Sequence, residues 1–348
     1  MTEPISQLKT ASNEADTDQL QIGPLFISGR QHSGNTVTAC VFERVANCLT
    51  INVEGLFFEQ RNLVDRIKDP IARARKISSL LRIEDKALAD RTEQWLIDWH
   101  QNNPNASALD GYCQAMQFAT IDAGKEFWVR RATSYIFYAQ EILTLMPKAR
   151  VLYLLRNPHD VCASKKRRNS KKDRYLGWVI SWNRGMRIAL DLKKKFPDRF
   201  LMLRYEDMVS KPQQVFEEIF EFVGVPFSED YLNVPHVNRS EAHQTRTSAT
   251  RGFNASRLYY YKEVLKPAEI LVVDMLAWNE PIEEYYPDMP HRADAISFGT
   301  KLSALLTVAW SPIPFAIMNI RLLFKGNMLW RIKRLFHRAS LVLGGSNR

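Results

Sequence analysis

Apolar residues in this 348-residue chain fall into a few short runs separated by stretches with helical spacing. Leu25-Phe26-Ile27, opened by Pro24 and closed by Gly29, has the length and composition of a buried strand. Residues 49–53, 125–129, 151–155 and 200–203 read the same way, and 151–155 is the strongest of these patterns. Helical spacing covers about 37–48, 59–101, 108–122, 135–146, a segment opening near Pro158, then 175–196, 212–223 closed by Gly224, and 267–278. Strands alternating with helices predict an α/β fold, a parallel β-sheet flanked by helices. Residues 59–122 carry no strand pattern and read as a helical insertion, while 226–262 is a polar loop rich in Arg, Thr and Ser.

Two places on this pattern carry chemistry. The first is the turn after the first strand, Gly29-Arg30-Gln31-His32-Ser33-Gly34-Asn35-Thr36. A strand, a glycine-bearing turn and a helix N-terminus aim backbone N–H groups at one point, which suits an anion. Gly29 and Gly34 have P-loop spacing, but Asn35 stands where a nucleotide triphosphatase keeps its lysine. That loss disfavours a P-loop kinase and leaves a loop able to hold a 5′-phosphate. An ordinary strand-to-helix connection is the alternative. The second place is Leu154-Leu-Arg156-Asn-Pro158-His-Asp160-Val-Cys-Ala-Ser164. Arg156 follows the C-terminal end of the strongest strand, where open parallel sheets bind ligands. Ser164 lies two helical turns on, along the same flank, so the pair suits a second phosphate. The alternative is an arginine that satisfies strand-end carbonyls beside a surface serine.

Composition changes the picture at the ends of the chain. With 45% apolar residues, one large core is affordable. The four cysteines, at 40, 48, 113 and 162, form no metal-ligand spacing, which points to free thiols in a reducing compartment and to no metal site. Residues 1–21 are polar and acidic, the composition of a flexible terminus without a signal sequence, so a cytoplasmic location is expected. Eight Lys or Arg and no acid follow Asp294, so the tail carries most of the net charge of +10. Within it, 302–320 has no charge but contains Pro312 and Pro314, and 322–338 interleaves Leu, Phe, Trp and Ile with Arg and Lys. The expectation is a basic, apolar helical tail over 295–348 that uses 302–338 on the inner face of a membrane, peripherally or re-entrantly. A helical pair packed on the core or in a dimer interface is the alternative. Seven basic residues between 165 and 174 form either a solvated helix end or an electrostatic lip for an anionic acceptor. No nucleic-acid recognition module accompanies the charge, so no nucleic-acid partner is expected.

Together the two chemical segments resemble the sulfotransferases that use 3′-phosphoadenosine-5′-phosphosulfate, in the branch with bacterial and tyrosylprotein sulfotransferases. That family's 5′-phosphosulfate loop reads Gly-x-Pro-Arg/Lys-Ser-Gly-Thr-Thr, of which residues 29–36 are a variant, and its 3′-phosphate segment matches Leu154 to Ser164 at every named position. Weaker similarity continues through Trp128 to Tyr135, Trp178 to Trp182, 203–208, Pro212 to Gly224 and 265–267. The resemblance implies a P-loop-like fold over 22–294 and sulfuryl transfer to an acceptor hydroxyl or amine, without a metal. It implies that Gly29, Arg30, His32, Ser33, Gly34, Asn35 and Thr36 hold the 5′ end of the donor. Arg156 and Ser164 would hold the 3′-phosphate, with Arg251 and Arg257 as alternatives in the loop that the family folds over the nucleotide. His32 replaces the family's Arg or Lys before Ser-Gly, so His32 and Arg30 are both candidates for the cation at the leaving oxygen. Glu54 stands where relatives carry a catalytic base, ahead of Glu59 and His100, the latter expected at the surface. Arg131 stands where relatives carry a lysine facing the sulfate. The sequence assigns no oligomeric state and no acceptor, although a glycan or glycolipid would suit a membrane-facing tail. A non-catalytic membrane protein on the same scaffold is the competing expectation.

Overall fold

The computed structural model describes residues 20–168, 175–235, 252–255, 258–287 and 297–310. The elements run β1 (Leu25–Gly29), α1 (Asn35–Phe42), β2 (Cys48–Ile51), α2 (Phe57–Val64), α3 (Pro70–Leu81), α4 (Lys86–Asn102), α5 (Ala108–Asp122) and β3 (Phe127–Arg131). A 3₁₀ turn at Tyr135–Phe137 leads to α6 (Ala139–Leu145), β4 (Arg150–Leu155), α7 (Pro158–Arg168), α8 (Tyr175–Lys195) and β5 (Phe200–Arg204). Then come α9 (Tyr205–Ser210), α10 (Pro212–Val223), α11 (Tyr261–Val264), α12 (Pro267–Leu276), α13 (Asn279–Tyr285) and α14 (Phe298–Trp310).

All five strands are parallel, in the order β2-β3-β1-β4-β5. β1 is central and buried along its whole length, which is why it reads as an unbroken apolar run. Phe26 faces the core shared by the insertion, α8 and α12, while Leu25 and Ile27 face the core built by α1 and α10. Because β1 precedes strands on both of its sides, the chain reverses direction across the sheet at β1. The C-terminal ends of β1, β3 and β4 therefore open onto one crevice.

The insertion occupies residues 57–122 and starts two residues earlier than its pattern predicted. Its helices are locally encoded: Asp69 accepts from Ala72 N at 2.6 Å, Asp85 from Leu88 N at 2.9 Å, and Ser107 with Asp110 forms a reciprocal cap. Phe57 stacks on Tyr112 within the insertion, 4.2 Å between ring centres, and edge contacts of Phe58 with Phe26 at 5.8 Å and of Tyr112 with Trp128 at 6.1 Å seat the insertion on the sheet.

Three expectations need correcting. The first helix starts at Asn35 and stops at Phe42, because its N-terminus is part of the loop chemistry and Arg44 and Val45 close a turn onto Val41 and Phe42. β3 runs two residues later than its pattern, so Arg130 and Arg131 are strand residues; Arg130 is buried and donates to Leu81 O at 2.5 Å. His100 is fully buried rather than at the surface, since Leu88, Thr92, Leu96 and His100 recur every four residues on the face of α4 that packs against α3 and α5. Residues 1–19, 169–174, 311–348 and the arginines at 251 and 257 lie outside the described residues, and with them most of the tail and half of the basic run.

Burial and the neighbouring charge of Arg73 push the His100 imidazole down from 6.5 to about 4. The folded state thus disfavours the proton that the unfolded chain accepts below its ordinary value. This contribution to stability is complete above about pH 6.5 and is lost as pH falls towards about 4. Between about pH 7.5 and 4.5, chemical denaturation should lose on the order of 2–3 kcal/mol through this residue. His100→Leu should flatten that part of the pH profile; an unchanged slope would show that His100 is not its source.

Candidate active site

The site forms where the loop after β1, the end of β4 and the segments after β2 and β3 meet. Gly34 caps α1 with φ of +93°, a conformation that disfavours side chains. A Cβ there would also stand 2.5 Å from Met208 Cε of α9. His32 takes φ of +71° without being glycine, and Ser33 N closes a turn onto Arg30 O at 3.1 Å. Asn35, where a nucleotide triphosphatase has lysine, donates from Nδ2 to Gly29 O at 2.8 Å and so holds the two ends of the loop together. Ser33 is fully buried and its hydroxyl has no hydrogen-bond partner among the described residues, and Thr36 lies in the first turn of α1.

Arg156 is 5% exposed and reaches across to this loop, donating from Nη1 to His32 O at 2.5 Å. The guanidinium lies 4.3 Å from the ring centre of Tyr205 and 5.9 Å from that of Tyr260, and 3.9 Å from Asp160. It therefore does satisfy a carbonyl, but that of the neighbouring loop rather than one of its own strand end. Ser164 is bonded to the Tyr260 hydroxyl at 2.6 Å, so Tyr260 is the common neighbour of Arg156 and Ser164. Asp160 accepts from Tyr259 N at 2.9 Å and Tyr261 N at 3.0 Å, fastening the 258–261 segment to α7. Burial raises the Asp160 carboxyl, and the Arg156 charge and these two N–H groups oppose the rise. Tyr205, Tyr260 and Asp160 were not singled out from the sequence. Asp160 sits in the motif and Tyr205 in the 203–208 segment of weaker similarity, but Tyr260 comes from a segment without a pattern of its own.

Glu54 follows β2 in the same crevice. Its Oε1 accepts from Thr133 N at 3.0 Å and Thr133 Oγ1 at 2.5 Å, so the carboxylate is aimed by the segment after β3. Both bonds fall on Oε1. Arg131, expected to face a transferred sulfate, ends β3 and donates from Nε to Asn52 Oδ1. Glu59 lies in α2 and His100 in the insertion core, so neither joins the Glu54 carboxylate. Arg30 leaves the loop in another direction, its guanidinium 5.8 Å from the ring centre of Phe137.

The arrangement offers backbone amides and a buried hydroxyl after β1, an arginine and a hydroxyl after β4, and a carboxylate after β2. A sequence model described as the sulfotransferase family matches residues 24–229, more than half of the chain. A curated relative, an uncharacterized protein of Aquifex aeolicus (strain VF5), is 26% identical over 166 residues, which make up 43% of this chain and 21% of that protein. The chain thus spans about a fifth of the length of the curated relative it matches. Among solved structures, the sulfotransferase domain of the Synechococcus PCC 7002 olefin synthase is 18% identical with a TM-score of 0.47, covering 74% of this chain and 94% of that one. The sulfotransferase domain from the curacin biosynthetic pathway is 20% identical with a TM-score of 0.47, covering 73% and 96%. Sulfotransferase STF9 from Mycobacterium avium is 12% identical with a TM-score of 0.43, covering 84% and 82%. The family match takes in the loop after β1, the segment from Leu154 to Ser164, and Glu54. This chain belongs to the sulfotransferase family.

Proposed function

We propose that the protein transfers a sulfuryl group from 3′-phosphoadenosine-5′-phosphosulfate to an acceptor hydroxyl or amine. The observation that carries this reading is the bond from Arg156 to the His32 carbonyl. It joins the two segments that would each hold one phosphate of such a donor. Two further features support the fit. The buried Ser33 hydroxyl lacks a partner in the loop, and Ser164 shares Tyr260 with Arg156 on the opposite side.

The donor, when bound, supplies a sulfuryl group activated by its anhydride link to phosphate. Backbone N–H groups at the start of α1, with the Ser33 and Thr36 hydroxyls, hold the 5′ end, and the helix dipole favours the negative charge. Arg156 and Ser164 hold the 3′-phosphate and set this donor apart from ATP. Glu54 takes the acceptor proton at Oε2 while Thr133 keeps the carboxylate oriented. His32 stands at the loop where the leaving oxygen gains negative charge, while the Arg30 guanidinium turns towards Phe137. In such a transfer positioning and charge stabilisation carry most of the rate, and no covalent enzyme intermediate is needed.

A second, compatible reading concerns location. No helix among the described residues is long and apolar enough to cross a membrane. Yet α14 buries Ala304 against α12 and leaves Leu302, Leu305 and Leu306 46%, 59% and 51% exposed. These leucines open the uncharged stretch that precedes the basic part of the tail. We infer that α14 begins a segment that lies on an anionic membrane surface.

Three outcomes are expected. Calorimetric titration should show 3′,5′-adenosine bisphosphate binding more tightly than 5′-AMP or ATP, with a loss of about tenfold or more in Arg156→Ala. Absence of bisphosphate binding by the folded protein would overturn the donor assignment. Glu54→Gln should lower turnover by about 100-fold or more on any acceptor found by screening, with bisphosphate affinity unchanged. Replacing Leu302, Leu305 and Leu306 together by serine should reduce co-sedimentation with phosphatidylserine-containing vesicles; equal sedimentation would remove α14 from membrane contact.

A further inference from the structure

Gly185 lets α8 come close to the sheet. A Cβ there would stand 2.8 Å from the Tyr153 hydroxyl and 3.8 Å from Cδ of Arg30. β4, α8 and the loop after β1 therefore meet at one point. Tyr153 is fully buried, and its hydroxyl has no hydrogen-bond partner among the described residues. Such a group is one that a bound ligand would satisfy. Burial pushes its phenol up to about 12 against the opposing charge of Arg30, so it remains an O–H donor at neutral pH.

Arg30 lies beside this hydroxyl, and a second arginine meets Arg30 across one ring. Arg184 precedes Gly185 on α8, and its guanidinium carbon lies 5.8 Å from the ring centre of Phe137, the same distance as that of Arg30. One aromatic ring thus positions two cationic forks from different elements. Partial burial lowers the Arg184 guanidinium from its ordinary value, a sign that water solvates this charge less than it would at an open surface. Phe137 ends the 3₁₀ turn that begins two residues after Thr133, the residue that holds Glu54. The cluster is accordingly tied through a short segment to the residue that orients Glu54.

We propose that Arg30, Arg184 and the Tyr153 hydroxyl form an oxyanion subsite, and that the acceptor carries a phosphate or carboxylate held there while its hydroxyl or amine faces Glu54. The proposal rests on the transferase reading and adds a substrate class to it. All three groups are donors, and a guanidinium fork matches the paired oxygens of either anion. Arg30 then serves the acceptor through its side chain while its backbone remains part of the donor loop.

The test uses the full chain saturated with 3′,5′-adenosine bisphosphate, which occupies the donor site. Phenyl phosphate, benzoate and phenol are titrated by calorimetry into wild type, Arg184→Gln, Arg184→Lys and Tyr153→Phe. At least one of the two anions should bind and phenol should not, and the anion that binds separates phosphate from carboxylate recognition. Arg184→Gln should weaken that binding about tenfold or more, and Arg184→Lys less, because it keeps the charge but loses the fork. Tyr153→Phe should weaken it without changing bisphosphate affinity. Failure of both anions to bind wild type, or equal binding to Arg184→Gln, overturns the subsite. If the bisphosphate itself does not bind, the donor assignment fails, and the dependence of anion binding on Arg184 still decides the subsite.

Discussion

Much of this structure depends on keeping one guanidinium, that of Arg156, charged and in place while it is almost wholly removed from water. An isolated charge in that position would be costly, so it must be compensated from several directions at once. Asp160 supplies opposite charge one helical turn along α7, the Tyr205 ring supplies a π face, and the His32 carbonyl accepts a hydrogen bond. Trp182 of α8 bonds the Arg156 carbonyl from its ring N–H at 2.9 Å. Each partner comes from a different element. The loop after β1, α7, α8, α9 and the segment before α11 are thereby fitted around one residue.

A second buried carboxylate extends the same arrangement. Glu206 accepts from Asn157 N at 3.0 Å and from the Tyr286 hydroxyl at 3.1 Å, which links β4, α9 and the end of α13. Burial raises its carboxyl, and these bonds and the Arg156 charge work against the rise. His159 reaches the other way, bonding Asp274 of α12 at 2.7 Å. The stretch 156–160 thus organises the C-terminal helices as well as one side of the crevice. Low dielectric makes each of these contacts stronger than it would be at the surface, and makes the loss of any one more damaging.

The insertion plays a different part. Its helices are stabilised by local caps and by their own aromatic and aliphatic packing, and Arg73 satisfies the carbonyls of Ile67 and Ala106 at 2.7 Å and 2.6 Å. It touches the chemistry through the segment around Gly55, whose N–H bonds Arg131 O at 3.0 Å, and through Arg82, which bonds the Glu54 carbonyl at 3.3 Å. Its helices thus fold largely on local signals and contact the crevice through these bonds.

The strands, the parallel sheet and the helical insertion were legible in the sequence because burial on both faces writes continuous apolar runs, and amphipathic helices write a four-residue period. The loop after β1 and the segment from Leu154 to Ser164 were legible because glycine spacing and a strand-end arginine are local patterns. Boundaries at β3 and α1 were not, since paired arginines in a strand and a helix that begins inside a loop break the periodicity that marks ends. His100 was misplaced because its type suggested solvent, although its spacing from Leu88, Thr92 and Leu96 already put it on the packed face. By itself the sequence determined the order and kind of the elements and the two segments that match the family's motifs, since those depend on neighbours within a few residues. Only the tertiary structure decided that Arg156 reaches His32, that Tyr260 joins Arg156 to Ser164, that Thr133 aims Glu54, and that Arg30 and Arg184 share Phe137. Each of those contacts unites residues far apart in the chain, and nothing in local spacing records which distant side chains will meet.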